Sequence, residues 1–259
     1  MKFSESWLRE YVNPAISSEE LMAQMTMAGL EVDSVTSAGG GITGVVIGEI
    51  ISSEQHPDAN KLRVCQVAGD SEGTMYQVVC GAPNARTGIK VPFATVGAKL
   101  PEGFKIKKAK LRGVESQGML CAQAELALGD DDSGLWELPS DATVGQDLVD
   151  YLQLDDQIIE VDLTPNRADC LSLCGLAREV GVLNREPVLE PQIIAVEAAI
   201  KDSIGVSIEA PKACGRYVGR VIRNVDLTQP TPQWMQEKLR RSGIRSLGPA
   251  VDITHYVML

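Results

Sequence analysis

The positively charged side chains between residues 99 and 112 are the strongest candidates for chemistry in this sequence. Six Lys and Arg residues stand in this stretch against a single acidic residue, Glu102. Ammonium and guanidinium groups bind the phosphates of nucleic acids, whereas lysines on a strand edge also prevent edge-to-edge association. Charge alone favours a solubilising edge, so the arrangement of these cations must decide between the two interpretations.

Alternation along extended backbone predicts which cations share a face. Lys61 and Arg63 flank Leu62, so both point away from the side that the leucine buries. Between residues 105 and 112, two cations have odd residue numbers and three have even ones, so they point to opposite faces of an extended chain. A bulge or bend is therefore needed for all five to converge. We therefore predict an RNA-binding surface formed by Lys61, Arg63, Lys105, Lys107, Lys108, Lys110, Arg112, Ser116 and Gly118.

Ser116 and Gly118 belong to this set because they bracket a turn at which an RNA backbone can approach closely. The turn-rich segments 56–60 and 115–118 are equally consistent with ordinary turns that have no binding role. Spacing alone does not separate these interpretations.

The other polar residues indicate no reaction centre. His56 precedes a proline, a context in which the ring more often packs or bonds locally than catalyses, and His255 is the only other histidine. The acidic run at 129–134 lacks the alternating ligands and distal glutamate of a calcium loop. The six cysteines have no C-x-x-C spacing and are expected to be buried free thiols. We predict no catalytic residue, no metal site and no cofactor bound by this segment.

Composition predicts a globular protein with aliphatic cores. The chain has 259 residues, 44% of them hydrophobic but only 4% aromatic, and a net charge of −11. This charge argues against a generally basic nucleic-acid coat protein, but it permits local recognition because charges beyond about 8–10 Å are largely screened. No apolar run is long enough for a membrane span or a signal peptide, so we expect a cytoplasmic protein without a membrane partner.

The first 37 residues predict a helix followed by a strand. Ser17 and Glu20 have the spacing of a capping box, and Gly29 suits the left-handed position after a helix. The run at 30–35 alternates apolar and polar residues, as a half-buried strand does. Three glycines at 39–41 then mark a boundary.

The next hundred residues predict a small barrel. Strands are indicated at 45–51, 62–67, 76–80, 90–94 and 119–122, separated by Gly, Pro and Asn turns. Five short strands in this arrangement are typical of a Greek-key barrel such as an OB-fold. Pro92 lies within the fourth run and predicts an edge position or a bulge there.

After residue 151 the pattern again resembles the N-terminal piece. Residues 158–163 alternate like a strand, and Asp169 is placed to cap a helix that runs to about Leu183. We therefore predict one discontinuous domain from residues 1–38 and 151–195, with the barrel, residues 39–150, inserted between them.

Residues 196–259 predict an incomplete unit. Strands are indicated at 204–208 and 216–222, and Thr231 is placed to cap a helix that ends before Gly243. The run at 251–259 is β-like. Because so few elements make a poor independent core, we expect a piece of a longer protein.

Several motifs resemble one known family. Residues 56–62, 78–85 and 110–120 read H-P-D-A-N-K-L, V-V-C-G-A-P-N-A and K-L-R-G-V-E-S-Q-G-M-L, and they resemble the tRNA-binding OB-fold of synthetase-associated proteins. Residues 27–32 (M-A-G-L-E-V) and 164–171 (T-P-N-R-A-D-C-L) narrow the choice. Together the motifs resemble the N-terminal third of the bacterial phenylalanyl-tRNA synthetase β subunit.

The resemblance implies an α+β multidomain protein in which residues 196–259 begin a truncated α+β editing domain. It implies a ligase that charges tRNA(Phe) with phenylalanine, uses ATP and magnesium, and contains an α subunit in an α₂β₂ tetramer. In that family the aminoacylation site lies in the α subunit, so this segment is expected to bind tRNA and to act as a scaffold. The alternative is a free-standing, structure-specific tRNA-binding protein without enzymatic activity.

Overall fold

The computed structural model describes residues 1–259, which form ten strands and six α-helices. The strands are β1 (Lys2–Ser4), β2 (Glu31–Ser37), β3 (Thr43–Gln55), β4 (Arg63–Ala68), β5 (Met75–Cys80), β6 (Lys90–Lys99), β7 (Ala109–Leu111), β8 (Val114–Ser116), β9 (Gly118–Leu120) and β10 (Gln157–Asp162). The helices are α1 (Glu5–Tyr11), α2 (Ser18–Met27), α3 (Leu148–Tyr151), α4 (Leu173–Asn184), α5 (Gln233–Arg241) and α6 (Pro249–Met258). Short 3₁₀ segments occupy Pro101–Gly103, Ala124–Leu126 and Pro165–Cys170.

A three-stranded antiparallel sheet combines strands that precede the barrel in the chain with a strand that follows it. Its order is β1-β10-β2, so a strand from beyond residue 150 lies between two strands from the first 37 residues. Fourteen buried residues pack this sheet against α1, α2 and α4, and none of them comes from residues 39–151. The predicted strand before residue 37 and the predicted strand near residue 158 are both present.

The helix after Ser17 begins as predicted. The Glu20 N–H donates to the Ser17 hydroxyl over 3.2 Å, and the Ser17 N–H donates to the Glu20 carboxylate over 2.8 Å. Gly29 follows α2 with a φ of 86°, a conformation that costs glycine little. Both ends of this helix were therefore readable from local sequence.

The middle of the chain forms a curled, antiparallel five-stranded sheet in the order β5-β4-β3-β6-β9. Register shifts in β3 near Gly44 and Ile51 bend the long strand, so one sheet serves two cores. The edge strands approach each other, because the Gln117 N–H donates to the Gln77 carbonyl over 2.8 Å. This architecture is consistent with an OB-fold, and all five predicted barrel strands are present. The three-residue strands β1, β7 and β8 were not predicted.

Pro92 lies in an internal strand, so the prediction of an edge or a bulge at this residue is wrong. Its neighbour Ile47 directs its N–H and C=O away from β6, toward Gln146 and Gly145. The backbone of Pro92 faces the other side, where its carbonyl accepts from the Cys121 N–H over 3.0 Å. A residue 92 N–H would face the Cys121 carbonyl, which accepts from the Trp136 N–H over 3.1 Å instead, so the β6–β9 ladder ends at Phe93 and Leu120.

The start of α4 also differs from the prediction. Ser172, not Asp169, is the N-cap, and its hydroxyl accepts from the Gly175 N–H over 3.1 Å. Asp169 lies in the preceding 3₁₀ turn, where its carboxylate receives hydrogen bonds from Arg167. The Asp169 carboxylate therefore bonds to Arg167 and not to the first turn of α4.

The strands predicted at 204–208 and 216–222 are absent, and residues 185–232 have no regular secondary structure. Ile204 and Val218 are 77% and 73% exposed, so nothing covers the apolar face that the alternation provides. An alternating pattern becomes a strand only when another strand satisfies its backbone groups and a core covers its apolar face.

The last two helices correct two further predictions. Thr231 does not cap α5; its hydroxyl donates to the Asp252 carboxylate, and Pro232 occupies the cap position. The predicted β-like run after residue 250 is the helix α6, which places Tyr256 in a stack on Trp7 with ring centroids 5.3 Å apart. Gly243 follows α5 with a φ of 73°, as predicted.

No helix in the chain is long and apolar enough to cross a bilayer.

The two connections to the barrel lie side by side, since the Ala38 N–H donates to the Asp156 carbonyl over 2.9 Å. Leu152 and Leu154 belong to a core with Ile42, Val45 and other barrel residues. The packing of the barrel thus extends a few residues beyond residue 150.

Candidate nucleic-acid interface

The predicted cations between residues 105 and 112 form an exposed, unpaired group beside the barrel. Lys105, Lys107, Lys108, Lys110 and Arg112 are all exposed. None of them takes part in a salt bridge, although the chain contains eleven such contacts elsewhere. Their charges are therefore available to a ligand.

A buried isoleucine explains why the first two of these lysines point outward. Ile106 is 5% exposed and is held on β6 by two backbone bonds, from the Gly97 N–H over 2.8 Å and to the Ala98 carbonyl over 2.9 Å. Lys105 and Lys107 flank it, so the alternation of extended backbone turns both away from the core.

Lys110 and Arg112 lie on the hairpin of β7 and β8, and Lys108 directly precedes it. Lys110 pairs with Glu115, and Arg112 and Gly113 form the connection with φ values of 45° and 89°. Positive φ at both positions is typical of a type I′ turn, whose twist suits a two-residue hairpin. The hairpin therefore presents Arg112 at its tip.

His56 connects this hairpin to the loop that carries Lys61. The His56 ring is 2% exposed, and its Nδ1 accepts from the Asp58 N–H over 3.1 Å. The other nitrogen, Nε2, therefore carries the proton and donates to the Leu111 carbonyl over 3.1 Å. Two motifs about fifty residues apart are joined by this ring. The sequence pointed only to a local role for His56, because no pattern reveals a partner at that separation.

Three residues of the predicted set have partners inside the protein. Arg63 donates from Nε to the Ser53 hydroxyl over 2.6 Å and from a terminal nitrogen to the Ser53 carbonyl over 2.7 Å. Ser116 is 3% exposed; its hydroxyl accepts from the Val79 N–H and donates to the Gly118 carbonyl, both over 3.0 Å. These bonds join β5 to the strands after residue 114.

Gly118 also packs closely against residues inside the barrel. Its φ is +145°, and a Cβ at this position would lie 2.5 Å from the Phe93 ring and 2.6 Å from the Ala94 carbonyl. Close packing within the barrel is thus sufficient to require glycine here. By contrast, Lys61 is fully available, since it is exposed in the loop that His56 anchors.

A cleft of about 530 Å³ opens beside the cations. It is lined by the end of β5 and the residues after it, by the segment that carries Phe104, Lys107 and Leu111, by parts of residues 116–125, and by the loop at 132–135. Burial raises the pKa of the Cys80 thiol, which lines the cleft, to about 11. This cysteine is therefore a neutral, apolar contact at physiological pH and not a reactive thiolate.

Several cations outside the barrel are bound to carboxylates, and Arg241 is the most buried of those in salt bridges. Arg241 donates to Asp156 over 2.9 Å and to the Leu152 carbonyl over 2.6 Å, and Asp156 also accepts from Ser4 over 2.5 Å. The side chains of Arg241 and Asp156 are only 7% and 1% exposed. This buried network joins α5, the exit from the barrel and the N-terminal strand.

One group of potential metal ligands is hydrogen-bonded to an arginine side chain. Asp169, Cys170 and Glu179 lie close enough together to share an ion. Arg167, however, donates to Cys170 and to Glu179 over 2.9 Å each. Since the guanidinium occupies the space between these ligands, the group does not fit a divalent cation.

Comparison with known proteins assigns the chain. A family model described as "Putative tRNA binding domain" matches residues 45–147, and one described as "B3/4 domain" matches residues 213–259. The phenylalanine–tRNA ligase beta subunit of Pseudomonas fluorescens is 63% identical over the whole chain. Along its whole length the chain is similar to phenylalanine–tRNA ligase beta subunits. The resemblance that the sequence motifs indicated is thereby confirmed.

Other members of the family match equally far along the chain. The beta subunits of Pseudomonas syringae pv. syringae and Hahella chejuensis are 64% and 60% identical over all 259 residues. In each case the chain spans 32% of the relative's length. Among solved structures, a MetRS related protein from Pyrococcus horikoshii is 24% identical, with 40% of this chain and 87% of that chain covered and a TM-score of 0.30.

Proposed function

We propose that this chain is a tRNA-binding and scaffolding portion of a ligase that attaches phenylalanine to tRNA(Phe). The observation that carries the proposal is the 63% identity to beta subunits of phenylalanine–tRNA ligase along the whole chain. The full enzyme would use ATP and Mg²⁺ and would contain an α subunit in an α₂β₂ tetramer. We assign no catalytic residue to this segment, and the one cluster of metal-type ligands, around Arg167, does not suit magnesium.

The domain organisation that we propose follows the enclosing sheet. A discontinuous domain, residues 1–38 and 151–195, surrounds an inserted OB-fold domain, residues 39–150. The adjacent connections at Ala38 and Asp156 support this division. Residues 196–259 would begin an editing domain, a role supported by the match of residues 213–259 to the B3/4 family.

Within the barrel we propose that the exposed cations contact tRNA phosphates. Lys61, Lys105, Lys107, Lys108, Lys110 and Arg112 form the contact set, with Arg63, Ser116 and Gly118 supporting it from within the barrel. The barrel as a whole is acidic, because residues 40–150 contain ten Lys and Arg against fifteen Asp and Glu. Attraction must therefore be local, which the screening length of about 8–10 Å permits.

The salt dependence of tRNA binding tests the surface. We expect replacement of Lys107, Lys108 and Lys110 by Gln to weaken binding of a tRNA transcript to the whole chain. Each phosphate contact that is lost should flatten the slope of log affinity against log salt by about 0.7–0.9. Fluorescence anisotropy at several salt concentrations measures both quantities.

A matched control replaces Lys201 and Lys212, which are exposed outside the barrel, by Gln. These substitutions remove two positive charges, against three in the barrel variant, but should leave the slope almost unaltered. If the slope with the barrel variant equals that of the unsubstituted chain, these lysines only solubilise the barrel. Co-purification of the same chain with an α subunit of phenylalanine–tRNA ligase tests the alternative. Binding of the α subunit would indicate a synthetase component, and its absence a free-standing RNA binder.

A further inference from the structure

The cleft beside the cations has an uneven distribution of charge. Lys107, Glu125 and Asp132 all line it, so one cation and two carboxylates border the same cleft. The Asp132 carboxylate is exposed and has no hydrogen bond or salt bridge within the chain. A phosphate is attracted by Lys107 and repelled by the carboxylates.

The surface between these charges is apolar and includes an exposed aromatic ring. Phe104 is 60% exposed and Leu111 is 40% exposed, and both line the cleft together with Pro83 and Gly134. Proteins that bind single-stranded nucleic acid stack bases on exposed aromatic rings. The cleft volume, about 530 Å³, lies within the range of small-ligand sites.

The other aromatic rings of the barrel are less available for stacking. Phe93 is completely buried and Trp136 is 8% exposed, while Tyr76 is half-buried and packs on Phe93 with ring centroids 5.3 Å apart. Phe104 is therefore the exposed ring in this region. It is also next in sequence to Lys105, so the stacking group and the phosphate-binding groups belong to one segment.

We propose that this cleft holds one unstacked nucleobase of a bound RNA, with Phe104 stacking on the base and Asp132 accepting a hydrogen bond from an amino group on its edge. The proposal rests on the proposed function, because it specifies what the tRNA-binding surface recognises. A nucleotide matches the uneven charge of the cleft, since its anionic phosphate lies toward the lysines and its N–H donors face the carboxylate.

Phe104 provides the main test, with a tRNA transcript as the probe and the whole chain as the protein. Loss of one stacked base through Phe104→Ala should weaken binding about 5- to 150-fold. The salt slope should stay unchanged, because no phosphate contact is lost. Phe104→Trp should restore the affinity. Met75→Ala is the matched control, since Met75 is a 45% exposed apolar residue of β5 that does not line the cleft.

Asp132 provides a test of opposite sign. If the carboxylate only repels phosphates, Asp132→Ala will tighten binding. If it accepts a hydrogen bond from the base, the same substitution will weaken binding about 2- to 10-fold. Asp130→Ala removes an equal charge from an exposed neighbour outside this cleft, and we expect it to tighten binding slightly.

The outcomes separate this inference from the proposed function. A chain that does not bind tRNA contradicts both. Binding that responds to the lysine substitutions but is unchanged by Phe104→Ala overturns the nucleobase site alone. If Phe104→Ala instead weakens retention of the α subunit, the cleft binds protein, and the inference is wrong.

Discussion

The lysines beside the barrel and the arginines outside it carry positive charge in opposite ways. Lys105, Lys107 and Lys108 are exposed and form no salt bridge. Arg241 is 7% exposed and contacts the carboxylates of Asp156 and Glu237. A buried charge needs partners because it has lost its water, whereas an exposed charge keeps its water and can exchange it for a ligand. Arg241 is thus held in a buried network, whereas the charges of these three lysines are available to a ligand.

Removal of the barrel is the strongest test of whether tRNA binding depends on the barrel while the rest of the chain folds without it. Deletion of residues 40–154 would leave Gly39 joined to Asp155, so β2 and β10 would become a hairpin with a four-residue loop. We expect the remainder to unfold cooperatively, since the core around Phe3 and Trp7 contains no barrel residue. It should show no tRNA binding. Urea unfolding followed by circular dichroism, together with anisotropy, measures both. Loss of cooperative unfolding would contradict the proposed insertion.

Disruption of the buried ion pair should have the next largest effect. We expect Arg241→Ala to lower the free energy of unfolding by about 3–5 kcal/mol, because it leaves the Asp156 carboxylate buried without its cation. As a control, Arg178→Ala removes an ion pair with Glu190 in which both side chains are more than 60% exposed, and it should cost at most about 1 kcal/mol. Chemical denaturation compares the two. Similar costs would mean that burial does not distinguish these arginines.

Loss of the histidine that joins the segments at 56–62 and 110–120 should have a smaller effect on stability. His56→Ala removes the hydrogen bonds to the Leu111 carbonyl and from the Asp58 N–H, so we expect a loss of about 1–3 kcal/mol. The affinity for tRNA should fall as well, because the hairpin that carries Arg112 loses its attachment. His56→Gln keeps a side-chain donor and should restore part of both. Unchanged tRNA affinity in the alanine variant would show that the hairpin needs no anchor.

Much of the barrel could be predicted because its strands carry local signals. Alternation and Gly, Pro and Asn turns located five strands, and the capping box at Ser17 located a helix. The three-residue strands β7 and β8 are too short for an alternating pattern to be recognised. They form because the two-residue turn at Arg112 and Gly113 lets neighbouring segments pair.

The predictions after residue 195 were weaker because the same patterns have no partner there. Val206 alternates as convincingly as Val67 does, yet Val67 is buried between paired strands and Val206 is 53% exposed without a strand beside it. At the C-terminal end, β-branched residues suggested a strand, but Asp252 accepts from the Leu247 N–H over 2.9 Å and Tyr256 stacks on Trp7 within a helix. Tertiary packing overrode the local preference.

The amino-acid sequence by itself determined the family resemblance, the barrel strands and the cluster of cations, because motifs, alternation and charge are properties of residues near one another along the chain. Only the tertiary structure decided which cations are free to bind. It directed Arg63 to Ser53, closed the barrel through Ser116, and brought His56 to Leu111. A hydrogen bond between distant segments depends on their separation in space, and that distance exists only once the chain has folded.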